Sequence, residues 1–161
     1  RFSVGPCPFA DRILKISLLM PANARVLESL GPLASATAEA LAAADARGDA
    51  FTAAWRSLAM TLLDYRRGNF LEALKWSQRC LAYPEANAPR IVTARLISAM
   101  ANFQLGRARD AQADFLAARE LIESKGNAQG DRGSPIHGFW FDWIFARVLL
   151  REASGLMGGA R

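Results

Sequence analysis

Apolar residues recur along this chain at three- and four-residue spacing, and they almost nowhere alternate strictly between turn signals, so helices are expected and strands are not. The expected class is all-α. A first helix is predicted from about Phe9 to Met20, with Ile13, Ile16, Leu19 and Met20 on its apolar side. It stops before Pro21, whose ring cannot continue the hydrogen-bond ladder. Asn23 is placed to cap a second helix that runs through Val26, Leu27, Leu30, Leu33, Ala34 and Leu41 to about Ala46, with Pro32 as the point of a kink or split.

Gly48 and Asp49 mark the next stop and start, because glycine takes the left-handed conformation after a helix and aspartate accepts from the first free amides of another. A helix to Arg67 follows. Gly68 closes it and Asn69 opens the next, with Glu72 completing an arrangement like a capping box before Ala73, Leu74 and Leu81. Pro84 ends that hairpin, Asn87 begins a helix to Leu105, Gly106 breaks it, and a further helix spans about Ala108 to Ser124. The run Gly68-Asn69-Phe70-Leu71-Glu72-Ala73 returns 38 residues later as Gly106-Arg107-Ala108-Arg109-Asp110-Ala111. A repeat of this size predicts a right-handed α-solenoid, in which each hairpin covers its apolar face on the next and small residues such as Ala73 and Ala111 let helices approach closely.

Residues Gly126 to Gly138 are rich in Gly, Asn, Gln and Ser, which predicts a flexible loop. A last helix then carries Phe139, Trp140, Phe141, Trp143, Ile144, Phe145, Val148, Leu149 and Leu150, so apolar a series that burial on several faces is expected. The predicted organisation is one domain of about seven helices: N-terminal helices over 1–48, repeats over 49–86 and 87–125, the loop over 126–138 and a hydrophobic C-terminal helix over 139–157.

With 161 residues and 52% hydrophobic content, the chain can bury a full core without disulfides or metals. Arg1 stands where an initiator methionine is expected, which suggests a piece of a longer or processed protein. Cys7 and Cys80 form no C-x-x-C pair and His137 has no nearby partner, so neither a zinc site nor any cofactor is expected. Two scattered cysteines fit a reducing, cytoplasmic compartment. The net charge of +5 would suggest nucleic acid if it clustered, but the seventeen arginines are dispersed among acids. Nucleic acid is therefore disfavoured as a partner. No run approaches the length of roughly 20 apolar residues that spans a bilayer, and no signal peptide opens the chain.

Four stretches resemble a known family: Arg12-Ile13-Leu14-Lys15 with Leu18-Leu19-Met20-Pro21; Tyr65 to Ala73; Ala99-Met100-Ala101 with Gln104-Leu105-Gly106; and Asp142-Trp143-Ile144-Phe145-Ala146-Arg147-Val148-Leu149-Leu150-Arg151-Glu152-Ala153. They are similar to the tetratricopeptide-type C-terminal region of bacterial serine/threonine protein kinases of planctomycete and verrucomicrobial proteomes. The usual Leu-Gly pair of a tetratricopeptide first helix is Met60-Thr61 here and Ser98-Ala99 in the second repeat, whereas Ala111-x-x-x-Phe115 fits. No kinase signature occurs in the chain, so any such activity would belong to other sequence.

The resemblance implies a regulatory or scaffolding part that binds a protein or peptide, or another part of its own parent. In such arrays the first helices line a concave groove. Here they would present Trp55, Leu58, Leu62 and Tyr65 from one repeat and Thr93, Leu96, Met100 and Phe103 from the next. That groove either receives a partner helix or is filled by the chain's own last helix, and self-filling is favoured because Trp140, Trp143, Ile144 and Val148 need burial. Gly68, Ala73, Gly106, Ala111, Trp140 and Trp143 are the expected structural residues. A homodimer is the next alternative, and an RNA-binding repeat a remote one, since no polar pair recurs between the repeats. The candidate acid and base pairs (Asp110 with Asp114, Glu120 with Glu123, Arg147 with Arg151) fit solvated helix faces, so an enzyme is not expected.

Overall fold

The structure, a computed structural model, describes residues 9–84, 87–125 and 140–158. It is all-helical: α1 (Ala10–Ser17), α2 (Ala24–Ser29), α3 (Gly31–Ala46), α4 (Ala50–Arg66), α5 (Phe70–Ala82), α6 (Ala88–Gln104), α7 (Ala108–Lys125) and α8 (Trp140–Gly158). No strand occurs among the described residues. Cys7, His137, Phe139 and the loop predicted over 126–138 lie outside them.

Eight helices stand among the described residues where about seven were expected, because the long second helix divides at Leu30. Pro32 falls in the first turn of α3. Proline is tolerated there, since its missing N–H would have had no partner inside the helix. The side chains of Asn23, Asp49 and Asn87 cap α2, α4 and α6, each accepting from an amide three residues on at 3.0 to 3.1 Å. Asn69 stands at the N-cap of α5 as expected, but its side chain makes no capping bond. Its amide nitrogen donates instead to the Asp64 carboxylate at 3.1 Å, and Glu72 accepts from Lys75 at 2.6 Å, so the expected capping box is replaced by two other contacts.

Three turns share one geometry. Gly48, Gly68 and Gly106 have φ of 69°, 78° and 72°, in the left-handed region that a Cβ disfavours. At each turn the glycine amide donates to the carbonyl three residues back (3.0 Å), and the next amide donates to the carbonyl five residues back (2.8 to 2.9 Å). These paired bonds satisfy two of the carbonyls that a helix end leaves open. They return the chain so tightly that α3 packs on α4, α4 on α5 and α6 on α7, with α5 packed on α6 between the last two pairs.

Helices α4 and α6 are the inner pair. In α4, ten residues between Ala53 and Tyr65 are buried, and in α6 twelve between Pro89 and Asn102, more than one face of either helix can supply. Their remaining sides are covered by α1, which packs on α3 and α4, and by α8, which packs on α6. Trp143, Phe145, Ala146, Leu149 and Ala153 carry α8 into the core, whereas Phe141 and Ile144 on its opposite side are exposed. The side chain of Trp140 is outside the described set.

Helix α1 corrects the sequence reading. It ends at Ser17, short of Met20, and it buries Leu14, Lys15 and Leu18, leaving Ile13, Ile16 and Met20 outside and Leu19 half-buried. Two apolar stripes run along this helix, and the one chosen places Leu14 and Leu18 in the main core while bringing the Lys15 ammonium to Asp142.

Candidate interaction surface

The eight residues projected to line a groove are brought together on the inner pair. Leu58, Leu62, Tyr65, Thr93, Leu96 and Met100 are buried, and Trp55 and Phe103 are half-buried. Leu58, Leu62, Leu96 and Met100 share one core cluster with Leu14 and Leu18 of α1 and with Trp143, Phe145 and Leu149 of α8. The face the sequence assigned to a partner is thus covered by the chain's own first and last helices. Burial pushes the Tyr65 phenol above its ordinary range, with the Glu152 carboxylate adding to the rise.

Two polar ties hold those covering helices. Lys15 donates to Asp142 at 2.5 Å while its ammonium lies 4.5 Å from the centre of the Trp55 ring and 5.3 Å from that of Phe145. At the other end of α4, Arg66 donates to the Leu18 and Leu19 carbonyls at 2.9 Å each and grips both oxygens of Glu152, one at 2.7 Å. Lys15 sits over the start of α4 beside the start of α8, and Arg66 ends α4 beside the later part of α8, so α8 runs parallel to α4.

The expected structural residues keep tight positions: Ala73, Ala111 and Trp143 are buried, and Gly68 and Gly106 hold the turns. The candidate acid and base pairs do not converge. Asp114 pairs with Arg95 of α6 at 3.0 Å, and burial raises its pKa. Glu123 pairs with Arg119, and Arg147 and Arg151 point outward. Among the described residues no three histidine, cysteine or acidic side chains gather as a metal would require, and no helix is long and apolar enough to cross a membrane. Cys80 is buried beside Arg90, which donates to the Cys80 carbonyl at 2.7 Å, and burial pushes its thiol up to about 11 despite the opposing arginine charge.

What sequence reasoning missed is the outer side of α1. Phe9, Ile13, Ile16 and Met20 follow one another at four-, three- and four-residue steps and are 54%, 44%, 51% and 64% exposed. Phe9 and Ile16 also line a cleft of about 440 Å³ with Phe51 and Trp55 from the start of α4 and Phe141 from the start of α8. The signal was available in the sequence, since α1 carries apolar residues on two faces and one short helix can bury only one of them. A second cleft, about 370 Å³, lies over α6 between α5 and α7 and is polar, with Gln78, Asn102, Arg107 and Asp110 on its walls. No protein-family model, curated protein or solved structure matches the chain.

Proposed function

We propose that the chain is a non-catalytic protein-interaction module built of tetratricopeptide-like hairpins stacked as a right-handed solenoid. It serves as a regulatory, C-terminal part of a larger bacterial signalling protein, such as a serine/threonine kinase, in the cytoplasm. The observation that carries this reading is the exposed apolar surface at α1: Ile13 and Ile16 on the helix, Phe9 just before it and Met20 beyond its end, with Phe51 and Phe141 lining a cleft beside Phe9 and Ile16. Isolated exposed apolar residues are ordinary on a monomer, but a contiguous series is a common mark of a binding surface. The pairing of Asp114 with Arg95 and of Glu123 with Arg119 supports a binding role over a catalytic one.

The inner pair α4 and α6 supplies the rigid frame, and the partner meets α1 rather than the covered face of that pair. Site-specific crosslinking in the cells that make the protein tests this. A photoreactive residue in place of Ile13 should give a discrete product of higher mass, lost on adding Ile16→Asp, while the same probe at the exposed Gln112 of α7 gives none. Absence of any product from position 13 would remove the reading.

A further inference from the structure

The polar cleft over α6 shares no lining residue with the cleft beside α1, and its floor is short of donors. Ser77 of α5 donates to the Ala94 carbonyl at 3.1 Å, and the Ser98 hydroxyl of α6 lies 2.8 Å from that of Ser77. A carbonyl can only accept, so Ser77 spends its proton there and Ser98 must spend its own on Ser77. Ser98, on the cleft floor, is left with only lone pairs to offer. One turn along α6, Asn102 lines the same cleft, is 6% exposed, and makes no side-chain hydrogen bond among the described residues. A carboxamide so enclosed is costly to leave unpaired, and the cleft is the side from which a partner reaches it.

On the α7 wall, Asp114 gives one carboxylate oxygen to Arg95 at 3.0 Å and keeps the other. Burial raises the Asp114 pKa against the pull of Arg95, and the Asp110 charge one turn earlier adds to the rise. Charge alone selects no occupant, since Arg95 and the exposed Arg107 at the mouth match the two carboxylates in number. The acceptors select one. Ser98 Oγ, Asn102 Oδ1, the second Asp114 oxygen and the Asp110 carboxylate suit a cation that carries several N–H groups in one plane. Leu74 and Leu81 of the α5 wall suit the methylene stem behind such a group. A volume of about 370 Å³ admits one side chain of this kind. A bare metal ion fits less well, because among the described residues no three histidine, cysteine or acidic side chains gather.

We propose that this cleft is a second binding site, which takes an arginine side chain from an extended peptide. The guanidinium lies over Ser98 and Asn102 with its charge against Asp110 and Asp114, its stem crosses Leu74 and Leu81, and Arg107 meets a backbone carbonyl of the peptide at the mouth. This site goes beyond the α1 reading, and its failure leaves that reading standing.

Titrating the isotope-labelled chain with a short capped peptide that holds one arginine between alanines tests the proposal by NMR. Saturable shifts should centre on the Asn102 carboxamide and on the backbone amides from Arg107 to Asp114. Asp110→Asn and Asn102→Ala should each weaken binding about tenfold, whereas Glu120→Gln, exposed on α7 outside the cleft, should leave it unchanged. The same peptide with citrulline, which keeps the shape and loses the charge, should bind the wild type about tenfold more weakly. Because Asn102 is enclosed, the exposed Asp110 and the citrulline peptide carry the test if Asn102→Ala folds poorly. Absence of saturable shifts at Asn102 overturns the proposal. So does citrulline binding as tight as arginine binding, or arginine binding indifferent to Asp110→Asn.

Discussion

Arg66 at the end of α4 and Glu152 on α8 meet through two parallel contacts, and the same guanidinium also takes the carbonyls of Leu18 and Leu19 where α1 ends. One side chain thus joins three helices, with its side chain only 4% exposed. Replacing Arg66 by alanine strands a partly buried carboxylate and two carbonyls, and should cost about 3 kcal/mol of stability by denaturant unfolding. Arg66→Lys should recover less than half of that, because a single ammonium cannot reproduce a planar fork reaching carboxylate and carbonyls together. Full recovery by lysine would show that charge alone matters here.

The glycines divide by conformation. Gly68→Ala should destabilise by about 1 kcal/mol, since its φ of 78° penalises a Cβ even though no atom lies within 4 Å of one. Gly155→Ala, inside α8 and equally unobstructed, should stabilise by about 0.5 to 1 kcal/mol through helix propensity. Paired thermal melts of the two variants check the opposite signs.

Ala73 and Ala111, each five residues after a turn glycine, are both essentially without exposed surface. Ala73→Leu and Ala111→Leu should each cost about 1 to 3 kcal/mol by overpacking, while leucine at the exposed Ala113 stays within about 0.5 kcal/mol of the wild type. Equal stabilities at all three positions would deny the close helix approach that the repeats were read to need.

Cys80 gives a pH dependence with a definite sign. Its thiol is raised from 9.0 to about 11 by burial, so between those values the unfolded chain releases a proton that the folded chain keeps. Stability should fall as pH rises through that window, by on the order of 2 kcal/mol, and the buried Tyr65 phenol acts in the same direction. Comparing urea midpoints at pH 8 and 10.5 for the wild type and Cys80→Ala should show a shallower decline in the variant. In a Cys7→Ser background, Cys80 should react with a thiol reagent only after unfolding.

Much of this fold could be read in the sequence because its punctuation is local. Gly68, Gly106, Asn87 and Asp49 act through bonds to residues at most five positions away, and each of those turns or caps formed. Asn69 opens α5 as expected, but the capping box did not form because Asp64, five residues earlier, offered its side chain a different partner. The face of α1 was not legible for a different reason. Lys15 is a poor candidate for burial until Asp142, 127 residues away, comes to meet it, and that single pairing helps fix which stripe of the helix turns inward. The helices bearing the projected groove residues were legible, whereas their covering by α1 and α8 arises from contacts across the whole chain.

Because α8 is made after α1 to α7, the inner pair is left uncovered while those helices emerge from the ribosome. Leu96, Met100 and their neighbours stay open to water, and to other nascent chains, until α8 arrives. Closure of the core is therefore a late step that joins helices 127 residues apart, and interrupting the chain before α8 would turn a well-packed interior into a sticky one.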